Sequence, residues 1–476
     1  MPDAKPNALH YGDCLDILPT IPDASVDLIY LDPPFNSNAN YNMLFGAEQG
    51  EDTAQIQAFT DTWYWRPDHE DVYSDLMLRG GTLGNTTEAL MQILGRCGML
   101  AYLFFMMQRL ILMKRVLKQT GSIYLHCDPK ASHYLKIIMD AVFGQLNFIN
   151  EIIWHYQTGG GSKRWYAKKH DTILFYAMGE KYTFNYAHDL LQVRRGEGAI
   201  ARAANPTGAR LSADDTTKTA MSVWTDINAL NSQAKERLGY PTQKPLALLN
   251  RIISASSNEG DVVLDPFCGC GTTVDAAEAL GRRWIGIDIS CLAINVILER
   301  LENIHGKKAL DKIEVSGIPR DLAGAEKMFR RDPLEFERWA VGLIRGRPND
   351  RQRGDGGSDG ELRFYSRDND RPQRGIISVK GGQTLTPSMV NELEGAVTKF
   401  NADMGVLITL RTPTRGMIET SNQFGLWEDT FTGNSYPRIQ IITIRELLDG
   451  QSPNMPSVIN PYLKASHRHD TQMELV

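Results

Sequence analysis

No run of about 18 apolar residues occurs in this 476-residue chain, so a transmembrane helix of ordinary length is not expected. The opening MPDAKPNALHYGD lacks the apolar segment of a signal peptide, and a cytosolic protein is expected. Cysteine is scarce. Cys14, Cys97, Cys127, Cys268, Cys270 and Cys291 form no C-x-x-C pair, and two of them sit inside a glycine loop. All six are expected as reduced thiols without a structural metal. There is no excess of positive charge, since the formal net charge is −6. That argues against a polyanion-binding surface over the whole protein, but not against local patches. Between Gln157 and Lys218, Lys and Arg outnumber Asp and Glu ten to six, and between Arg345 and Arg374 Arg outnumbers them eight to six. Both stretches suit phosphate contact, and solvated loops would carry the same charges.

What is present is ordinary globular material, 42% hydrophobic and 23% charged, long enough for two or three domains. VDLIYLD, GSIYLHCD, FINEIIWHYQ and KKHDTILFYAMG read as buried strands. MLAYLFFMMQRLILMKRVLKQTG reads as a helix closed by Gly121, and PKASHYLKIIMDAVFG as a second helix. Residues 36–95 read as a polar excursion with some helix. The alternation predicts an open, mostly parallel α/β sheet. It breaks at about 182–235, an insert with weak periodicity, and resumes with a helix opening near Pro245. Residues 306–330 read as a linker or a small bridging element. A second domain is expected over 331–450, followed by a polar tail over 451–476.

VVLDPFCGCGTT is a strand running into a loop with Gly269 and Gly271 ahead of a helix. Glycines there let the backbone approach a ligand closely. The full G-x-G-x-x-G pattern is absent. Asp288, seventeen residues after Gly271, ends the next strand near the spacing at which a carboxylate grips a ribose diol. A nucleoside with a compact amino-acid tail fits as well as a dinucleotide.

LDPPF ends a buried strand with an acid and two prolines. A nucleobase amine is a poor nucleophile because its lone pair is conjugated into the ring. Two fixed acceptors for its N–H groups would free that pair. The Asp32 carboxylate and the Pro33 carbonyl are candidates, since proline offers no N–H and fixes φ. Phe35 would stack on a base taken out of its duplex. A plain strand-ending turn is the alternative.

Together LDPPF, YPTQKP and LDPFCGCGTT…GIDIS resemble the amino-group DNA methyltransferases that use S-adenosylmethionine. With the acidic turn ahead of the glycine loop, they resemble the permuted β class, including adenine methyltransferases related to type III modification subunits. The likeness covers about residues 8–305 and implies a Rossmann-like methyltransferase sheet. It implies that Asp32, Pro33, Pro34 and Phe35 hold the target base. It implies that Asp265, Phe267, Gly269, Gly271 and Thr272 surround the methionine part of the cofactor and that Asp288 bonds its ribose. Thr242, Gln243, Lys244 and Pro245 would line the same pocket, and Asp13 would lie near the adenine ring or merely cap a helix. The partner implied is double-stranded DNA, read by the insert, in a restriction–modification or defence setting. An acid-first turn leans toward adenine N6, with cytosine N4 the alternative. A homodimer and a restriction subunit are left open.

The later segments LEFERWAVGLIRG, GDGGSDG, ISVKGG and MGVLITL resemble the restriction-endonuclease-like α/β fold of the Mrr-like branch. Asp359 matches its first acid and Lys380 its lysine, and Glu337 would be an accessory ligand for Mg²⁺ at Asp359. Ser378 stands where a second acid is expected and is a poorer Mg²⁺ ligand than a carboxylate. The likeness therefore leaves open a cleaving domain, which would make the chain a methyltransferase and nuclease in one, and a degenerate domain that docks DNA.

Overall fold

The computed structural model describes residues 7–34, 39–44, 55–61, 63–157, 163–164, 166–194, 217–231, 234, 236–238, 240, 242–349, 357–364, 373–429, 432–456 and 458. Phe35, most of the basic part of the insert and the end of the tail lie outside them.

Nine strands form the large sheet: β1 (Asn7–Tyr11), β2 (Val26–Leu31), β3 (Leu117–Cys127), β4 (Phe148–His155), β5 (His170–Ala177), β6 (Val223–Trp224), β7 (Val262–Asp265), β8 (Arg283–Asp288) and β9 (Ile313–Ser316). Their spatial order is β6-β4-β5-β3-β2-β7-β8-β1-β9. Every neighbouring pair is parallel except those made by β5, which runs against β3 and β4. The period-2 pattern of β2 feeds two cores. Leu28 and Tyr30 face one, Ile29 and Leu31 the other, as side chains of a strand must alternate. The face of Ile29 is covered by α1 (Asp68–Leu78), α2 (Gly81–Leu94), α3 (Gly98–Val116) and α4 (Ser132–Phe143). The opposite face is covered by α5 (Leu246–Ser256), α6 (Thr272–Ala279) and α7 (Cys291–His305).

Two expectations are corrected. The helix expected to run to Gly121 stops at Val116, because Leu117 turns extended and pairs with Val26, and Lys118 Nζ reaches both carboxylate oxygens of Asp27 at 2.7 and 2.8 Å. Gly121 serves close packing instead, since a Cβ there would lie 2.9 Å from the Asp27 carbonyl oxygen. Residues 306–330 are more than a connector. They supply β9, the edge strand beside β1, and most of α8 (Leu322–Arg331).

A second sheet follows, β10 (Arg347–Pro348), β11 (Gly360–Phe364), β12 (Gln373–Lys380), β13 (Met404–Thr409) and β14 (Ile439–Thr443), in that spatial order. Its first two pairings are antiparallel and its last two parallel. The helices α9 (Pro333–Leu343), α10 (Pro387–Lys399) and α11 (Arg415–Gln423) accompany it. The two sheets share one apolar core. Leu9, Trp284 and Ile294 of the first lobe join Phe336, Trp339, Ile377 and Val406 of the second in a continuous cluster. Burying side chains such as Phe336 and Trp339, 0% and 2% exposed, stabilises by about 1.5–3 kcal/mol or more each. All six cysteines are free. No helix among the described residues is long and apolar enough to cross a membrane.

Candidate active site

In an open parallel sheet, ligands bind where the carboxyl ends of the strands meet solvent. Here the neighbours β2, β7, β8 and β1 each end at or just before an acid: Asp32, Asp265, Asp288 and Asp13. Leu264 lies opposite Ile29 and Ile285, and Tyr11 opposite Asp288. The acids therefore stand in a row along one edge, though up to 275 positions of sequence separate one from another. A cavity of about 710 Å³ opens over that edge and is lined by all four.

The glycine loop forms its floor. Gly271 sits at φ +75°, and a Cβ there would lie 2.7 Å from Ile297 Cγ1. Gly269 sits at φ +49°, with the Tyr240 ring 3.3 Å from a Cβ position. Both the left-handed backbone and the close approach require glycine. Gly271→Ala is expected to cost about 2–4 kcal/mol from strain plus overpacking, seen as a lower denaturation midpoint. The Gly269 N–H donates to Asp288 Oδ2 at 2.8 Å and the Ser290 N–H to Oδ1 at 2.9 Å, which fixes the acid against the loop. Burial, with Glu335 nearby, pushes Asp288 up to about 6. Asp265 accepts from the Phe267 N–H at 3.0 Å. Burial first, then the like charges of Asp32 and Asp288, push it up to about 7. Phe267 and Thr272 also line the cavity. Burial raises the Cys268 and Cys270 thiols, so neither is a ready thiolate.

The acidic turn stands at the other end. Asp32, Pro33 and Pro34 line the cavity, and Phe35 lies outside the described residues. Lys244 Nζ approaches Asp32 Oδ2 at 2.5 Å, with both side chains largely enclosed. Asp32 Oδ1 is buried without a hydrogen-bond partner among the described residues. Gln243 ties its segment together, accepting from the Leu238 N–H and donating to the Glu236 carbonyl. Thr242 holds φ +60°, an uncommon state for a β-branched residue. Pro245 caps α5 from an extended conformation. Thr242, Gln243 and Lys244 all face the cavity.

Asp13 both caps the helical turn 14–17, accepting from the Leu15 N–H, and receives Arg109 Nη2 on both oxygens at 2.7 Å. Arg109 carried no signal in the sequence. It lies in the strongly apolar α3, and its guanidinium stacks 3.4 Å from the Phe105 ring centre. Two further buried polar groups stand close to the site. His126 stands between Tyr30 Oη, 2.9 Å from Nδ1, and Asp171, 3.0 Å from Nε2, beneath the turn. Asp275 receives Arg300 and His305 behind the glycine loop. Residues 331, 332, 335 and 338 of the second lobe also wall the cavity.

In the second lobe, Asp359 Oδ2 accepts from Ser378 Oγ at 3.1 Å and from the Val379 N–H at 2.6 Å. Ser378 and Lys380 share one face of β12 by their spacing. Glu337 is half-buried on α9. Among the described residues no three His, Cys, Asp or Glu side chains gather as a metal site would need.

A family model described as DNA methylase, of the N6/N4 group, matches residues 26–299. The chain belongs to that family. The match runs from β2 through the glycine loop to α7, and stops before the second lobe. The chain is 31% identical to the DNA adenine methyltransferase YhdJ of Escherichia coli K12 over 296 residues, which are 61% of this chain and 81% of that protein. It is 30% identical to the type II methyltransferase M.BamHI of Bacillus amyloliquefaciens over 315 residues, 64% of this chain and 59% of that one. A further type II methyltransferase, M.HpaI of Haemophilus parainfluenzae, is 36% identical over 44% of this chain and 62% of its own length. The chain thus spans about three-fifths of these type II relatives. A putative DNA modification methylase of Thermus thermophilus, solved with S-adenosyl-L-methionine, overlays at TM-score 0.36 and 20% identity, covering 65% of this chain and 97% of that one.

Proposed function

We propose that this methylase transfers a methyl group from S-adenosylmethionine to adenine N6 in double-stranded DNA. The observation that carries the reading is a buried acceptor, Asp32 Oδ1, left unpartnered among the described residues at one end of a cavity whose floor is a glycine cradle. A cavity of this volume suits a nucleoside-sized ligand, and a Cβ at Gly269 or Gly271 would crowd the cradle. Asp265 and Asp288 give the floor a negative potential that favours a cationic ligand. When bound, the cofactor supplies an activated methyl on a sulfonium that departs as a neutral thioether.

The chain's own residues prepare the nucleophile. Asp32 Oδ1 and the Pro33 carbonyl accept the two amine N–H bonds, which turns the nitrogen lone pair out of conjugation and toward the methyl carbon. As the N–C bond forms the S–C bond breaks, and the proton lost by nitrogen passes toward Asp32 or solvent. Lys244 fixes the orientation of Asp32 through Oδ2 and leaves Oδ1 for the base. Adenine is favoured over cytosine by the acid-first turn, and the matched relative YhdJ is named an adenine methyltransferase. The insert at about 182–235 is assigned to base-sequence reading, with phosphate contacts supplying affinity.

Mass spectrometry of nucleosides from DNA incubated with the protein and isotope-labelled cofactor tests this. Labelled N6-methyladenine is expected. N4-methylcytosine would overturn the base assignment, and no labelled nucleoside at all would overturn the function.

The raised carboxyl groups give a pH signature. A carboxyl whose folded pKa exceeds its ordinary value of about 4 favours the fold below that pH, and loses this contribution as pH rises through the folded value. For Asp265 and Asp288 the window ends near 7 and 6. A cationic cofactor needs them ionised. Its affinity is expected to rise between about pH 5.5 and pH 8, with proton release on binding. Calorimetry in two buffers of different ionisation enthalpy measures both.

Among the described residues Ser378 stands beside Asp359, where two-acid Mg²⁺ chemistry would need a second carboxylate. We infer that it contacts DNA without cutting it. Supercoiled plasmid is expected to stay intact with Mg²⁺ present, and nicking that is lost in Lys380→Ala would overturn this.

A further inference from the structure

Tyr30 lines the cavity, yet the transfer scheme above gives it no part. It stands two residues before Asp32, so the two side chains leave the chain on one face of the sheet. Burial first, then the charges of Asp32, Asp265 and Asp171, hold its hydroxyl well above the usual phenol range. Tyr30 is therefore a neutral hydroxyl at the Asp32 end. Such a group is donor or acceptor according to where its proton points.

That direction is set behind the cavity wall. Tyr30 Oη lies 2.9 Å from His126 Nδ1, and His126 Nε2 lies 3.0 Å from Asp171 Oδ2. Tyr156 donates to Asp171 Oδ1 at 3.2 Å. These contacts form one row across the neighbouring strands β2, β3 and β5 to the end of β4. The imidazole is 0% exposed, and its plane is perpendicular to the Trp154 ring, 5.6 Å away. Trp154 is pinned in turn, donating from Nε1 to the Ile227 carbonyl at 2.8 Å. Burial would raise the Asp171 carboxyl, but His126 and Lys244 outweigh it and hold it below its ordinary value. An ionised carboxylate accepts and cannot donate, so Asp171 claims a proton on Nε2. In the neutral ring Nδ1 is then a bare lone pair, and it takes the Tyr30 proton.

We infer that Asp171 and His126 are positioning residues for methyl transfer: they commit the Tyr30 proton away from the cavity, so that Tyr30 Oη faces the target amine as an acceptor beside Asp32 and Pro33. This rests on the N6-methylation reading above. Nitrogen gains positive charge as the methyl arrives, and an acceptor already aimed at it favours that charge without reorganising. An oxo base would meet the same oxygen lone pair to lone pair, so the row also favours an amine over a carbonyl at this end. Protonation of His126 reverses the arrangement. Nδ1–H then donates to Tyr30, and the hydroxyl proton turns into the cavity. The ionised carboxyl groups of Asp32, Asp128 and Asp171 favour that protonation and Lys244 opposes it, while Tyr30 and Tyr156 face the row as neutral hydroxyls.

Nitrogen-15 NMR of the full chain with labelled histidine tests the tautomer apart from activity. A neutral His126 ring with its proton on Nε2 is expected at pH 8, and a proton on Nδ1 overturns the proposal. Single-turnover methyl transfer to DNA, with cofactor saturating at every pH, tests the consequence. The wild-type rate should fall on the acid side at the pH where NMR shows His126 becoming protonated. Tyr30→Phe should slow the plateau about tenfold, the size of one hydrogen bond to a charged group, and should abolish that acid limb. Its affinity for S-adenosylhomocysteine should stay within about twofold of wild type. An acid limb kept at the same pH in Tyr30→Phe overturns the proposal, because a merely structural histidine leaves the profile where it was. Should Tyr30→Phe not fold, Asp171→Asn decides. Loss of the carboxylate should move His126 protonation and the acid limb together to lower pH, and a limb that stays in place overturns the proposal. Folded wild type that methylates no DNA at any pH overturns the transfer reading itself, whatever the tautomer.

Discussion

Asp32→Ala is expected to slow methyl transfer by about a hundredfold to a thousandfold, the range for losing one preorganised hydrogen-bonding group at a reacting centre, with cofactor affinity within a few fold of wild type. The asymmetry follows from position. Asp32 sits at the base end of the cavity, while the glycine cradle and Asp288 lie at the cofactor end, with β7 and β8 the next two strands beyond β2. The substitution removes the acceptor Oδ1 and also strips Lys244 of the carboxylate it faces at 2.5 Å. A largely enclosed ammonium beside the target amine opposes the positive charge that develops on nitrogen during transfer, so the loss exceeds that of one hydrogen bond. Asp32→Asn keeps an acceptor of the same shape and should fall between wild type and alanine. Single-turnover rates with labelled cofactor measure the transfer step, and titration with S-adenosylhomocysteine measures binding apart from it. Full activity in the alanine variant would remove Asp32 from the mechanism.

Asp275→Ala is the largest expected stability loss, about 3–5 kcal/mol, the usual cost of leaving a buried charge without its partner. Asp275 is 1% exposed and Arg300 3%. Arg300 donates through Nε and Nη2 to one carboxylate oxygen at 3.0 and 2.8 Å, and His305 lies 2.8 Å from the other. Against a total stability of about 5–15 kcal/mol, that loss leaves a marginal fold. Chemical denaturation followed by circular dichroism measures it. Nucleoside binding should weaken as well, because Arg300 Nη1 also donates to the Cys270 carbonyl and Thr272 Oγ at the glycine turn. The sign of the pH dependence opposes that of Asp265. Burial alone would raise the Asp275 carboxyl, but His305 and Arg300 outweigh it and hold it below its ordinary value. Its contribution is present above the unfolded pKa of about 4 and fades as pH falls through the lower folded value. Replacing the whole cluster with apolar residues of similar volume should cost far less than removing Asp275 alone.

The parts of the site that were legible lie at the ends of local patterns. A β-rich run ending in an acid and prolines, or an acid followed by two glycines and a helix, states its geometry within one short stretch of chain. Strand order then brings Asp32, Asp265 and Asp288 to one edge. The parts that were not legible are pairings over long separations. Lys244 meets Asp32 across 212 positions, and Arg109 meets Asp13 across 96. Nothing near Arg109 distinguishes it from a snorkelling residue of an apolar helix. The end of α3 was misread because Val-Leu-Lys-Gln-Thr continues a helical pattern, and only the pairing of Leu117 with Val26 makes it a strand. β9 was read as a connector because four residues of half-buried strand carry too little periodicity to be seen.

The apolar cluster joining the two sheets bears on how such a protein can be rearranged. Gene fusion and exchange of halves succeed where few contacts cross the boundary. Here Phe336 and Trp339 belong to the same core as Trp284 and Ile294, so a chimera joined after α7 would inherit a raw hydrophobic seam and an open nucleoside cleft. The chain is better regarded as one inheritable unit than as two exchangeable cassettes. Variants with a foreign C-terminal half should be recovered only with compensating changes along α9.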